Sequence, residues 1–421
     1  MASRSHVEPF RRSRADHGAE RLMTEDSAES ARYRERLRSW LAEHFPPDGL
    51  ERRARNVVEF DRWWLRELHE GGYLIPRWPR RDGGEDLSVE LQLVLAEEMN
   101  RARAPFPRTF YCALHHAGDA IREFGSEEQK SRFIPKILSG ESIWCQAFSE
   151  PNAGSDLANI QTSAVRSGRS FVLNGQKTWS SGATRADRAI LPARTNPDAP
   201  KRKGLSYFLV DLHSPGIEIR PIRQMNGNTG FAEIFLNDVV VPEQDLLAEE
   251  GMGWSIIRTT LNNERGPGFL GFAAETRERI QVLIRESQDR SLLFSNEAGW
   301  SDFRQELASE YAAAEVLDEF CTRLLSELRE TGEIGHVASL LKLYQSELLR
   351  RVTASALRAE GLQGLLWTNQ APSDEEDGEG WLHEYLTSWI YIIGGGTNEI
   401  QRNSISEGIL GLPREPRPSV S

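Results

Sequence analysis

From Glu29 to about Gly140, apolar residues return every three or four positions. Tyr33, Leu37, Trp40 and Leu41 form one such series, and Phe60, Trp63, Trp64 and Leu68 another. That spacing predicts amphipathic helices. The stretch RWPRRDGG breaks the period at Pro79 and Gly83, and DLSVELQLVLAEEMNRA resumes it with Asp86 or Ser88 as N-cap. From about Ile143 the texture changes to short β-rich runs between turns: SIWCQAF, SFVLNGQKTW, RAILPART, GLSYFLVDL, GIEIRPI and AEIFLNDVVVP. Within the second run, Asn174-Gly175 predicts a hairpin, because the pair supplies the positive φ values of a type I′ turn. After Pro242 long helical periods return.

The expected organisation is therefore α+β and multidomain. A loosely docked or disordered tail covers 1–28, an N-terminal helical domain 29–143, a central β-domain 144–244, a C-terminal helical domain 245–415 and a short tail 416–421. Residues 373–380, SDEEDGEG, hold five carboxylates that repel one another and predict a solvated loop between the last helices. A chain of 421 residues has room for two or three domains with a substantial core.

Composition adds exclusions. With 63 Asp and Glu against 51 Lys and Arg, the formal charge is -12 and the pI near 5.4, which argues against nucleic acid or an anionic membrane as partner. Cys112, Cys145 and Cys321 stand far apart with no CxxC spacing, so neither a disulfide framework nor a metal site is expected. The adjacent His115 and His116 cannot share a helix face for a metal. No apolar run is long enough to span a bilayer and no signal-peptide core is present, so the expected location is cytoplasmic.

Three stretches carry chemistry. The glycines of WIYIIGGGTNEIQRN, Gly394, Gly395 and Gly396, satisfy neither the Walker nor the Rossmann spacing, and equally describe a helix end followed by a new helix capped at Thr397 or Asn398. In WCQAFSEPNAGSDLANIQT, the loop Ala153-Gly154-Ser155-Asp156 offers amides and hydroxyls to an anion or a flat heteroaromatic ring, or is an ordinary surface loop. In NGQKTWSSGATRAD, Trp179 stands two residues before Ser181 at a strand end, an indole and a donor that fit a flavin wall.

Together with GSEEQKSRFIPKILSGE and KGLSYFLVDLHSPGIEIRPI, these stretches resemble the acyl-CoA dehydrogenase family from about residue 30 to 415, most closely its bacterial sterol, dicarboxylate and secondary-metabolite branch. The resemblance implies an α-helical N-domain, a central β-barrel or sandwich domain and a C-terminal four-helix bundle, with FAD held between the last two. It implies FAD contacts from Gln146, Phe148 and Ser149 at the ring edge, Gly154 and Ser155 near the pyrophosphate, Trp179 and Ser181 at the ring face and N5, and Thr397, Glu399 and Gln401 beside the cofactor. Phe110, Tyr111, His115 and His116 fall where relatives approach the acyl group, although helix core and surface histidines describe them as well. An RxxFG-like cofactor contact does not carry over to Arg290 and Phe294.

The family removes an α-proton with a carboxylate, in many members a Glu at the position that is Gly395 here. One branch, resembling the isovaleryl and long-chain enzymes, carries its Glu instead on a helix of the bundle just before an Arg, and Glu264-Arg265 matches that place. Glu264 is therefore the expected base, Arg265 a substrate anchor or plain ion-pair partner, and the Gly395 N–H a donor to the thioester carbonyl alongside a ribityl hydroxyl. Gly266-Pro267-Gly268 should kink or restart the helix. The expected activity is FAD-dependent α,β-dehydrogenation of an acyl thioester on CoA or acyl carrier protein. An electron-transfer flavoprotein is the expected acceptor and a homo- or hetero-oligomer, dimer or tetramer, the expected assembly. The alternatives are a same-fold oxidase or monooxygenase and a non-catalytic subunit of a hetero-oligomer.

Overall fold

The computed structural model describes residues 27–264, 268–288, 297–331, 337–366 and 380–414. Arg265, Pro267, Arg290, Phe294, the acidic run 373–379 and the tail up to residue 26 lie outside the described residues, as does the side chain of Glu264. Two compact units are present, one covering the described residues up to 264 and the other those from 268 onward.

In the first unit, the leading apolar series form α1 (Ala28–His44), α2 (Gly49–Arg55) and α3 (Val57–Glu70). They meet over aromatic rings. Trp64 is fully buried, its ring 5.7 Å from Trp40 and 5.2 Å from Phe45, and its indole N–H donates to the Pro105 carbonyl at 2.8 Å. Each large side chain so buried contributes about 2 to 3 kcal/mol. Of the two expected caps, Ser88 opens α4 (Val89–Arg101), whereas Asp86 sits at φ 53° before it. Buried Glu98 on α4 accepts from Arg34 and Arg38 of α1 and from Arg101, stapling α1 to α4. Helices α5 (Gly118–Phe124) and α6 (Glu127–Leu138) complete the helical part, α6 through a reciprocal Ser126–Gln129 capping box.

The β-rich runs form one sheet from β1 (Trp144–Gln146), β2 (Ser163–Ser167), β3 (Ser170–Ser181), β4 (Arg188–Arg194), β5 (Leu205–Asp211), β6 (Ile217–Ile222), β7 (Phe231–Pro242) and β8 (Leu246–Leu247). Its order is β6-β7-β3-β2-β4-β5-β8, with β1 parallel to β4. Strands β4 and β5, apolar at nearly every position, are buried on both faces, while edge strand β6 is not. The sheet does not close into the expected barrel, because β8 is only two residues long and β6 pairs with β7 alone.

The hairpin at Asn174-Gly175 is also not formed. Strand β3 continues through it, with a register irregularity against β7 there, and the turn lies earlier, at Gly168-Arg169, where Gly168 takes φ 58°. Gly175 is required for a different reason: a Cβ there would stand 2.6 Å from Thr162 Oγ1 and 2.8 Å from its Cα, so only a glycine allows the strands to approach.

Helix α7 (Gly253–Glu264) packs within this first unit, on β5 and on a single π turn at Ala113–Ala117. The second unit is a helical bundle of α8 (Gly268–Gln288), α9 (Glu297–Thr331), α10 (Val337–Glu360), α11 (Trp381–Ile393) and α12 (Asn398–Gly408). Its core joins Ile280 and Leu283, Phe303 and Leu317, Leu341 and Val352, and Trp381.

Candidate active site

The loop after β1 and the end of β3 come together through a buried ion pair. Lys177 is fully buried, and its ammonium donates to Glu150 Oε1 at 2.9 Å, the Pro192 carbonyl at 2.8 Å and the Phe148 carbonyl at 3.2 Å. The Glu150 carboxylate accepts in addition from the amides of Gln161 at 2.6 Å and Thr162 at 2.9 Å, which closes the loop from 150 to 162 on itself. Burial pushes the Lys177 pKa down to about 8 against the pull of Glu150, so the ammonium persists at neutral pH. For Glu150, burial works upward, but the Lys177 charge and the amides outweigh it and hold the carboxyl below its usual range. The Thr178 amide donates to the Ser149 carbonyl at 2.9 Å, setting the Ser149 segment beside Trp179.

Between Lys177 and Ser180, two residues of β3 oppose one of β7, a bulge. Trp179 sits on it with φ 59° and 58% of its surface exposed. The left-handed backbone there holds a large apolar ring out of the sheet. Ser181 is likewise exposed, while Ser180 between them is buried. Across the loop, Gly154 has open space where a side chain would stand, and Ser155 is exposed. An exposed indole, edge-on to Phe231, a hydroxyl and an uncluttered glycine-serine turn fit the flat ring and pyrophosphate of FAD. Gln146 and Ser149 are partly exposed, whereas Phe148 is buried edge-on against Tyr207 at 5.8 Å.

Tyr207 links this region to α7: its hydroxyl lies 3.4 Å from Thr260 Oγ1, and position 264, the last of α7, is one helical turn beyond Thr260. The π turn beneath α7 carries His115 and His116, and Tyr111 precedes it. Phe110 is wholly buried, while Tyr111 is half-buried with its ring 4.9 Å from His115 and 5.3 Å from His116. His116 is buried rather than on the surface, and burial, reinforced by the Arg77 charge, depresses it to about 4. Both histidines are therefore neutral, His115 being lowered by the same causes and by His116. Among the described residues no cluster suits a metal, and no helix is long and apolar enough to cross a membrane.

In the bundle, α11 ends at Ile393, and Gly395 and Gly396 follow at φ 63° and 86°, an excursion suited to glycine. Thr397 caps α12 by accepting from the Ile400 amide at 3.3 Å, and Glu399 is exposed. Gln401 is buried and donates to the carbonyls of Gly395 and Gly396, at 3.1 Å each.

Glu150, Lys177 and Lys342, which bonds the same glycine turn, were not singled out by sequence reasoning. For Lys177 a signal exists: it shares the inward parity of Phe171 and Leu173, and a lysine facing a core needs a buried partner.

The chain matches the N-terminal, middle and C-terminal domain models of acyl-CoA dehydrogenase over residues 27–141, 145–239 and 251–410. It is 34% identical to acyl-CoA dehydrogenase IpdE1 of Mycolicibacterium smegmatis, covering 91% of this chain and 98% of that one. Among solved structures, the Tcur3481-Tcur3483 steroid ACAD superposes with a TM-score of 0.75 at 30% identity, over 94% of this chain and all of that one. The ChsE4-ChsE5 complex from Mycobacterium tuberculosis gives 0.73 at 29% identity, over 93% of this chain and all of that one.

Proposed function

Because this chain belongs to the acyl-CoA dehydrogenase family, FAD-dependent oxidoreductases acting on CH–CH donors, we propose that it desaturates an acyl thioester with Glu264 as base. FAD supplies the hydride acceptor at N5. On the protein side, the Glu264 carboxylate takes the α-proton and the Gly395 N–H donates to the thioester carbonyl as enolate charge develops. Trp179 and Ser181 line the cofactor's ring, Gly154 and Ser155 its pyrophosphate, and Gln146 and Ser149 its edge. Tyr111 faces the acyl group and Arg265 anchors the thioester's carrier.

What supports this assignment is the course of α7, which ends at position 264 after packing on the π turn and on Tyr207, next to the segment that holds Phe148 and Ser149. A glycine at 395 leaves the chemistry without a side-chain acid there, so another must supply it. The similarity to a steroid ACAD supports a bulky, ring-bearing acyl group and a second, different subunit in the assembly; the electron acceptor in this proposal is an electron-transfer flavoprotein.

The test is anaerobic titration of the FAD-loaded protein with a panel of linear and steroid-side-chain acyl-CoAs, following flavin bleaching. Glu264→Gln should slow flavin reduction by about 100- to 10,000-fold, the range for loss of a general base. Adding Gly395→Glu should restore part of the rate. Bleaching of Glu264→Gln at the wild-type rate would refute the assignment.

A further inference from the structure

The glycine turn that follows α11 has no side chains of its own to fix it, and Gly394 and Gly395 are exposed. Glycines lose more conformational freedom on ordering than any other residue. Such a turn is held only if something else holds its backbone. Two buried side chains do so. Lys342, in the second turn of α10 and 5% exposed, donates from Nζ to the Gly396 carbonyl at 2.8 Å, the Ile392 carbonyl at 3.3 Å and Asn398 Oδ1 at 2.9 Å. Asn398 is in turn fixed by Ser346, which donates to its Oδ1 at 3.0 Å, and by donating to Glu347 at 3.0 Å. From α12, Gln401 Nε2 spans the Gly395 and Gly396 carbonyls, and a Cβ at 396 would come within 2.9 Å of that nitrogen.

A lysine in a bundle core is expensive to desolvate, and an apolar residue of similar volume would pack there at less cost. Placing it where its acceptors are the carbonyls on either side of a glycine pair makes sense if the direction of the backbone between them matters. We propose that Lys342, seconded by Gln401, is a positioning residue that fixes the direction of the Gly395 N–H, the amide that polarises the thioester carbonyl. The inference rests on the role given above to that amide. Neither side chain touches substrate. They act by gripping the carbonyls at 392, 395 and 396 so that the intervening N–H has one orientation. Misdirection by about 1 Å costs on the order of 100-fold in rate.

The experiment uses the full-length, FAD-loaded protein and the enoyl-CoA product, labelled with 13C at its carbonyl, of whichever acyl-CoA reduces the flavin fastest. Isotope-edited infrared spectroscopy reads the carbonyl stretch of the bound thioester, which a purely structural role for Lys342 would leave in place. In the wild type the band should lie below its position in water. In Lys342→Met the downshift should fall by half or more, and flavin reduction should slow about 100-fold while thioester affinity changes less than about threefold, the signature of an interaction realised in the transition state. Gln401→Met, measured beside it in case Lys342→Met does not fold, should show the same loss. Retention of the wild-type shift in either folded variant overturns the proposal alone. A wild type that is reduced by thioesters but shows no shift overturns the role of the Gly395 amide and the proposal with it. Absence of reduction by any thioester overturns the dehydrogenase reading itself.

Discussion

Replacing Lys177 with methionine should loosen the loop from 150 to 162 without unfolding the sheet. Lys177 is fully buried and Glu150 7% exposed, so the variant leaves a buried carboxylate with only the Gln161 and Thr162 amides for company. Breaking a buried pair by removing one partner costs about 3 to 5 kcal/mol, most of it the uncompensated charge. If Glu150 is neutralised as well, that charge disappears, and Lys177→Met with Glu150→Gln should recover at least about 2 kcal/mol of coupling. A global unfolding curve is a poor assay for a chain of two units. Hydrogen exchange at the Gln161, Thr162 and Thr178 amides reads the local opening directly. A loss of about 3 kcal/mol corresponds to roughly 150-fold faster exchange at these sites. The reasoning fails if protection is unchanged in the single variant, or if the double variant is the worse of the two.

Two further outcomes follow from the same unit. Burial works to raise the Glu98 carboxyl, but Arg38, Arg34 and Arg101 bring it down to about 2. Its folded pKa lies below the unfolded one, so its contribution is complete above about pH 4.5 and is lost as pH falls toward 2. Allowing for screening at the half-exposed Arg38 and Arg101, the loss should be about 2 kcal/mol, and acid titration of Glu98→Gln should lack it. Gly175→Ala should destabilise the sheet by more than about 1 kcal/mol, read as at least about fivefold faster hydrogen exchange at the β3 amides, because its Cβ would meet the Thr162 backbone just ahead of β2; unchanged protection would show that the two segments can separate there.

How far the sequence could be read depended on how local each signal is. The helical series around Tyr33 and Trp64, the doubly apolar β4 and β5, and the cap at Thr397 follow from neighbouring residues alone, and all appear in the fold. Asn174-Gly175 has the local form of a turn, but the decisive contact comes from Thr162, the residue just ahead of β2, whose first residue pairs with Asn174. The same limit hid the clamps. Lys342 lies about 50 residues from the turn it grips, and Glu150 is 27 from Lys177, distances over which periodicity says nothing. Trp179 and Ser181 stood out in the sequence as residue types, but the bulge that aims them outward did not, since it depends on one fewer residue in β7.

That bulge has a consequence for how the strand tolerates change. Lys177 and Trp179 stand two apart, and on a regular strand they would share a side; the extra residue sends one inward and the other out. The interior clamp and the outward-facing surface are thereby insulated from each other within three residues. A substitution at position 179 can leave the sheet's interior untouched, whereas losing the extra residue would turn the indole toward the core.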